Sequence, residues 1–499
     1  MNEIIKQIND IVWSPALIYL CLAVGLYFSI RTRFMQVRGF KEMIRLMFRN
    51  QKSDAGVSSF QALAMSLSGR VGTGNIAGVA SAIYFGGPGA VFWMWVMAFL
   101  GAATAYVESV LGQVYKEVDS NGQYRGGPAY YIEKAMGQKW YAWIFAIATV
   151  IGMGLLMPGV QSNTIASGIQ NAWGVEPSVS ACAIAVVLGF IIFGGVKRIA
   201  AFAEVVVPFM ALGYILIALV IMIINVQQIP AVFGLILKSA LGLEAGFGAV
   251  LGLAVQWGVK RGVYSNEAGQ GSGPHAAAAA EVSHPAEQGY VQAFSVYVDT
   301  LLVCSATAFM MLSTGQFNTI GPDGKTMLAN HIPGMGPGPG FTQAAVESVM
   351  PGFGASVVAI ALMFFAFTTI VAYYYMAETN LAYLNRKLKL PALSFVLKVV
   401  MIASVTYGGI KSASMAWDMG DIGVGVMAWL NIIAILILQK PALACLRDYE
   451  AQRKAGKKPI FNPDALGIKN AELWHEIAKR GEAQPEVEAK KLKEALNTR

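Results

Sequence analysis

Ser68-Gly69-Arg70-Val71-Gly72-Thr73-Gly74-Asn75-Ile76-Ala77-Gly78 places glycines, a threonine and an asparagine in the middle of an apolar segment long enough to cross a membrane. Glycine is costly inside a helix and lets the backbone leave helical geometry. Peptide groups freed at membrane depth persist only where protein or a polar cavity satisfies them. The stretch reads as a broken helix lining a site. A second stretch, Gln256-Trp257-Gly258 through Ser265-Asn266-Glu267-Ala268-Gly269-Gln270-Gly271, has the same character and resumes at Pro274-His275-Ala276 in a run of alanines. Glycine-interrupted segments at corresponding positions of two halves mark the binding site of a secondary transporter.

Composition agrees with a polytopic membrane protein. Of 499 residues, 56% are hydrophobic and 13% charged, with a mean hydropathy of +0.53, against about 25% charged in soluble chains. The net charge of +8 sits in Lys and Arg beside apolar segments, as membrane topology requires, and does not point to nucleic acid. Cys21, Cys182, Cys304 and Cys445 share no CxxC spacing and read as small hydrophobes. Glu3 and Asp10 precede the first apolar run, the wrong balance for a cleaved signal peptide, so that run is expected to stay as an anchor.

Apolar runs of about 20 residues give eleven spans, near 12–30, 59–84, 88–115, 140–168, 177–195, 202–225, 243–283 (broken), 288–314, 352–384, 392–410 and 417–439. The loop 31–58 holds Arg31, Arg33, Arg38, Lys41, Arg45, Arg49 and Lys52, and later alternate loops hold Lys197-Arg198 and Arg386-Lys387. These faces are expected to be cytoplasmic, with the N-terminus periplasmic and the C-terminus cytoplasmic. Broken spans 2 and 7 are separated by an odd number of crossings and so run in opposite directions, as an inverted repeat requires. The division is residues 1–58 for an accessory helix and basic loop, 59–225 and 226–440 for two halves with an outer loop 315–345, and 441–499 for a charged tail with no assigned chemistry.

Within this frame the outer half of span 2 begins near Thr73 to Ile76, so its free N–H groups and positive dipole end point to the midplane. Ser265 or Asn266 is expected to cap the second half of span 7. Two half-helix N-termini then converge on one point, which suits an anion such as a small carboxylate; glycine-rich packing seams are the alternative. In span 4, Pro158 precedes Gln161 and Asn163. Gln161 can accept from an ammonium and donate to a carboxylate, while either amide can instead bridge helices. Thr368 and Thr369 in span 9, with unwound carbonyls of span 2 such as that of Gly69, offer hard oxygens to Na⁺; back-bonding to their own helix is the reading expected of at least one of them. The membrane-depth charges Arg70, Glu108, Glu267, Asp299 and Glu378 are costly and expected to be paired or functional, with Arg70 against Glu108 or Asp299 as the structural pair. Lys260 and Arg261 adjoin the second break and are expected to anchor it. The segment Gly334-Met335-Gly336-Pro337-Gly338-Pro339-Gly340 reads as a solvated loop or as a cap over the site.

Enzyme signatures are nearly absent. Gly321-Pro322-Asp323-Gly324-Lys325-Thr326 imitates the end of a P-loop, but Thr319 replaces its first glycine, and His275, His284, His331 and His475 form no metal-ligand spacing.

Gly72-Thr73-Gly74-Asn75-Ile76-Ala77-Gly78-Val79-Ala80, Gly86-Gly87-Pro88-Gly89-Ala90, Arg125-Gly126-Gly127-Pro128-Ala129-Tyr130-Tyr131 and Ser265-Asn266-Glu267-Ala268-Gly269 together resemble the alanine or glycine:cation symporters over about residues 10–445. The resemblance implies an all-α fold of the leucine-transporter type, a 5+5 inverted repeat with two discontinuous helices, in a bacterial inner membrane. It implies uptake of a small neutral amino acid with Na⁺ or H⁺ and no cofactor. It puts Thr73, Gly74, Gln161, Asn266 and Thr369 on site positions, and Asn75 and Tyr373 are added to the substrate set. Tyr373 stands where members carry Trp or Asn, and Pro158 lies unusually close to Gln161, so the substrate stays open among alanine, glycine, serine and glutamine. A channel would want a continuous polar lining, and an embedded enzyme a catalytic dyad. The expected partners are the amino acid and the bilayer, and the oligomeric state is open, a monomer being compatible.

Overall fold

The computed structural model describes residues 2–47, 56–119, 122–244 and 246–479, and the backbone alone of residues 2, 195–198 and 249. Arg49, Lys52, the side chains of Lys197 and Arg198, and the tail beyond 479 lie outside the described residues.

Among the described residues eight helices are long and apolar enough to cross a membrane. They are spans 1 (Glu3–Arg31), 3 (Gly89–Val114), 4 (Lys139–Trp173), 6 (Ile199–Ile224), 8 (Pro285–Thr314), 9 (Gly354–Leu388), 10 (Leu393–Ile410) and 11 (Ala413–Lys454). Span 5, Pro177–Ile192, is apolar but shorter. The two interrupted segments complete the eleven. Span 2 is Ser59–Arg70, then a π-helical turn Gly74–Gly78 continuing as Val79–Gly86. Span 7 is Leu251–Asn266 followed by Gly273–Ala279.

The inverted repeat is visible in the connections. Span 3 leads into a two-stranded hairpin, Glu117–Val118 with Tyr124–Arg125, and a short helix Pro128–Met136 before span 4. Span 8 leads into a hairpin, Asn318–Ile320 with Met327–Asn330, and a short helix Pro339–Val349 before span 9. Each short helix opens with proline at its first position, where a missing N–H costs nothing, after a glycine, Gly127 or Gly338. The first hairpin lies at the end bearing the basic 31–58 loop and the second at the opposite end, so the two halves are upside down relative to each other. The chain is an all-α polytopic membrane protein with two discontinuous helices.

Burial follows the same logic. Phe190, Phe209 and Ile223 on spans 5 and 6 stay exposed, as side chains facing acyl chains do, while span 8 is largely enclosed. Two elements differ from expectation. Span 11 does not end near 439 but runs as one helix to Lys454, so residue 441 is no boundary. Beyond it the tail packs on the basic end: Phe461 and Trp474 are buried, and Trp474 donates its indole N–H to the Gln113 carbonyl at 3.0 Å. A further helix, Ile229–Ala240, lies between spans 6 and 7, and its twelve residues are too few to cross a bilayer.

Candidate functional site

Span 2 starts with a reciprocal cap, Ser58 Oγ accepting from the Gln61 N–H and Gln61 Oε1 accepting from the Ser58 N–H. The helix stops at Arg70, and the backbone is extended at Val71 (ψ 89°). Gly72 is required here by closeness: a Cβ would strike Thr369 Oγ1 and lie 3.0 Å from Gln161 Oε1. The carbonyls that the break releases are met by span 9, where the Thr369 hydroxyl contacts the Ser68 carbonyl at 2.8 Å, Phe365 at 3.0 Å and Val71 at 3.4 Å. From span 4, Gln161 Oε1 accepts from the Thr73 N–H at 3.0 Å. That amide is positioned where a π turn, Gly152–Leu156, gives way to a helix opened by Pro158. The closeness of Pro158 to Gln161 thus has a local cause, because proline restarts the helix one turn before the amide.

Asn75 looks inward: its amide donates to Asp299 Oδ1 at 2.6 Å and its oxygen accepts from the Gly72 N–H at 2.8 Å. Asn266 donates to Thr300 at 3.3 Å and accepts from the Ala268 N–H at 3.0 Å. Both asparagines therefore hold the breaks in shape. Tyr373, one turn beyond Thr369, is buried with its phenol toward Gln161, Tyr264 and Glu267. Thr73 Oγ1, Tyr264 Oη and Glu267 Oε1 are buried without a hydrogen-bond partner. Arg70 Nε and Nη2 and Gln270 Oε1 are likewise without a partner; unpaired polar atoms are uncommon inside proteins, and these six border the two breaks.

Several expectations are corrected. Thr368 bonds back to the Phe365 carbonyl at 2.9 Å and faces Met210, so it does not join Thr369 at the span 2 carbonyls; adjacent helix positions are about 100° apart. Neither Ser265 nor Asn266 caps the second half of span 7, since both belong to the first half, and the new helix starts at Gly273. Glu267, Gly269 and Gly271 have φ of 57°, 85° and 85° in the intervening turn. Nor is that N-terminal end free for a guest: Glu108 of span 3 accepts from the N–H groups of Gly269 at 3.3 Å and Gly271 at 3.1 Å, and from Asn431 at 2.7 Å. Its carboxyl oxygens already occupy those donors. Arg70 forms no direct ion pair with Glu108 or Asp299. Its guanidinium donates to the Gln292 carbonyl at 3.0 Å and to Ser295, while Asp299 accepts from Asn75, Ser265 and Thr300. The charges share one region and are held by hydrogen bonds rather than by direct ion pairs, while Arg70 Nε and Nη2 and Glu267 Oε1 keep no partner.

Other expected residues stand where the sequence put them. Arg261 grips Asp421 of span 11 through two bonds of 2.9 and 2.6 Å, Lys260 reaches the same carboxylate at 2.9 Å, and Trp417 lies under the guanidinium at 4.5 Å. The outer half of span 7 is thereby anchored. Glu378 pairs with Arg125, which also holds Asp119 at 2.6 Å. Asn163 donates to the carbonyls of Gly408 and Lys411 at 3.0 and 2.7 Å, tying span 4 to the end of span 10, whereas Gln161 ties span 4 to the break in span 2. The segment Gly334–Gly340 is not simply solvated; with Asn163, Thr164 and Trp417 it bounds a cavity of 510 Å³ at the outer end of span 4.

At the basic end the two inner half-helices are tied by a parallel bridge, Val57 N–H to the Ala279 carbonyl at 2.9 Å and Glu281 N–H to the Val57 carbonyl at 3.0 Å. With the Arg261–Asp421 clamp at the other end, the breaks are closed off from both faces: Thr73, Asn266 and Thr369 are 0% exposed.

The family model described as the sodium:alanine symporter family matches residues 1–463. YrbD of Bacillus subtilis (strain 168), named for sodium/proton-dependent alanine carriage, is 62% identical over 474 residues, covering 95% of this chain and 98% of that relative. The sodium/proton-dependent alanine carrier protein of Bacillus sp. (strain PS3) is 55% identical, covering 88% and 98%. The sodium/alanine symporter AgcS of Methanococcus maripaludis is 36% identical, covering 91% and 98%. Two broken helices closed around a midplane cluster of buried polar groups, in a chain matched nearly end to end, make this a transporter and not an enzyme, and it belongs to the sodium:alanine symporter family.

Proposed function

We propose that the chain imports alanine, or an amino acid of similar size, together with Na⁺ or H⁺, by alternating exposure of the two breaks. It lies in the bacterial inner membrane with its N-terminus periplasmic and its C-terminus cytoplasmic, following the basic loops. The observation that carries the reading is the junction of spans 2, 4 and 9, where Thr369 Oγ1 faces the carbonyls of Ser68 and Val71 while Gln161 faces the Thr73 N–H. Hydroxyl and carbonyl oxygens are hard ligands suited to Na⁺. The Gly69 carbonyl belongs to the last helical turn before the break, where carbonyls lose their helical donors. On the other side of the junction, the N–H groups of Gly72, Thr73 and Gly74 receive the substrate carboxylate, displacing the side-chain oxygens that now accept from the first two. The Thr73 hydroxyl and Gln161 serve the substrate's polar groups. Asn75 and Asn266 act through the backbone they shape.

The deciding experiment is radiolabelled alanine, glycine, serine and glutamine uptake into proteoliposomes with Na⁺ and H⁺ gradients imposed separately. Saturable alanine uptake driven by an imposed ion gradient is expected, and alaninamide, which lacks the carboxylate, should not compete. Linear, gradient-independent flux would indicate a channel. Equal competition by alaninamide would remove the anion site.

Tyr373 sets the room left for the substrate side chain, because its ring continues the wall begun by Thr369 and meets Gln161. Tyr373→Ala is expected to admit larger amino acids and to weaken glycine and alanine several-fold, a methylene in a pocket being worth about 1–3 kcal/mol. Tyr373→Phe should lower the preference for serine over alanine if the phenol meets the substrate. An unchanged ranking in both variants makes the ring a packing element.

A further inference from the structure

Past the last span, the chain between Lys454 and Trp474 runs back over the basic end, and the transport cycle described so far gives it no task. It is tied down at three places. At the turn between spans 7 and 8, the Phe461 N–H donates to the Ser283 carbonyl at 3.0 Å and Ser283 Oγ donates to the Pro459 carbonyl at 2.9 Å. On the short helix before span 4, the Lys134 carbonyl accepts from Asn470 at 2.7 Å and the Lys134 ammonium meets Glu472 at 3.3 Å. At the end of span 3, the Trp474 indole N–H donates to the Gln113 carbonyl, one of the last carbonyls of that helix and therefore without a helical donor. Phe461 packs edge-on against Trp474 with ring centroids 4.9 Å apart, so the three ties form one strap.

Trp474 also connects the strap to a broken helix. The Lys116 ammonium lies 5.1 Å from its ring and 4.1 Å from that of Tyr124. Lys116 is 1% exposed and donates to the Ala280 carbonyl at 2.8 Å. Gln113 donates to the same carbonyl at 2.9 Å and to that of Ala277. Ala280 closes the second half of span 7, and that half is tight against the short helix as well, since a Cβ on Gly127 would lie 2.7 Å from the His275 ring. An ammonium taken out of water is stabilised by the aromatic faces beside it, so Trp474 holds Lys116 in place and Lys116 holds the inner end of span 7.

We infer that Trp474 and Lys116 are positioning residues of the transport cycle: the strap holds the inner end of span 7 shut, and the breaks become exposed to the cytoplasm when that hold is released. This inference rests on the alternating exposure and the cytoplasmic placement of the basic end proposed above. Neither residue touches the breaks, so both act on the balance of conformations and not on the site itself. A weaker hold enlarges the inward-open fraction, and the apparent affinity for external alanine falls in proportion to the fraction still able to bind from outside.

The test pairs amide hydrogen exchange of the full-length protein in lipid nanodiscs with alanine uptake by intact cells. Trp474→Ala and Lys116→Met are each expected to speed exchange of the amides of residues 275–281 about tenfold, the cost of one or two lost buried contacts, while residues 251–266 exchange as in the parent. The external alanine concentration for half-maximal uptake should rise several-fold in the same variants. Trp474→Phe keeps a ring beside Lys116 and loses only the N–H, so it should fall between parent and Trp474→Ala, and it serves with Lys116→Met if the alanine variant fails to reach the membrane. Ile460→Ala, in the same strap with a side chain 63% exposed, should match the parent in both measurements. Parental exchange at 275–281 in the variants, equal acceleration in both halves of span 7, or faster inner exchange with a parental alanine requirement overturns the assignment while leaving the transport reading standing. A parent that takes up no alanine overturns the transport reading and this inference with it.

Discussion

Gly72→Ala is expected to reduce alanine uptake about a hundredfold while leaving the protein in the membrane. The methyl group has no empty direction: its carbon would collide with Thr369 Oγ1 and lie 3.0 Å from Gln161 Oε1. Those two atoms are the ones that hold the Ser68 carbonyl and the Thr73 N–H. Overpacking by a single carbon costs about 1–3 kcal/mol where neighbours can shift, too little to unfold eleven spans. Here the neighbours that shift are the proposed ligands of ion and substrate, and displacing both at once multiplies the losses. Gly213→Ala on span 6 is the matched control, since a Cβ there meets nothing within 4 Å, and it should transport like the parent. Radiolabelled alanine uptake, normalised to the amount of protein in the membrane, checks both. Parental uptake by Gly72→Ala would put the junction of spans 2, 4 and 9 outside the transport path.

That a glycine could be so placed was partly legible in the sequence. Gly69, Gly72 and Gly74 inside an apolar run, set among polar residues, point to a broken helix at membrane depth as the reading weighed against a packing seam, and Ser265 to Gly271 repeat the pattern. The eleven spans, their alternation and the inverted halves follow from hydropathy and from parity, which are properties of one segment at a time. What sequence order hides is which side chain crosses to which backbone. Glu108 is conspicuous as a costly charge, and pairing it with Arg70 is the natural guess. Its actual partners are peptide N–H groups of Gly269 and Gly271, more than a hundred residues away, and backbone donors leave no trace in a list of charged residues. The same holds at Thr368 and Thr369. Two neighbouring hydroxyls look equivalent in sequence, and only the rotation of span 9 against span 2 decides that one faces carbonyls and the other faces Met210.

That rotation gives the sharpest contrast available in this chain, and Thr369→Val with Thr368→Val should reveal it. Valine keeps the branched shape and removes only the oxygen. At position 369 the lost hydroxyl is one of the few hard ligands beside the Ser68 and Val71 carbonyls, and hydrogen bonds or ligand contacts of this kind are worth about 1–3 kcal/mol when a buried partner is left unmet. The Na⁺ concentration for half-maximal uptake is therefore expected to rise between about fivefold and a hundredfold, by the same conversion of free energy to affinity. At position 368 the hydroxyl serves its own helix through the Phe365 carbonyl, a bond whose loss leaves that carbonyl in reach of its normal helical donor. Its Na⁺ dependence should stay within about twofold of the parent. Thr369→Ser restores the oxygen without the methyl and should recover most of the ion affinity, which a purely steric role for residue 369 would not allow. If Thr369→Val and Thr368→Val shift Na⁺ dependence equally, or neither shifts it, the hydroxyl at 369 is a packing and backbone-holding group and the ion binds elsewhere.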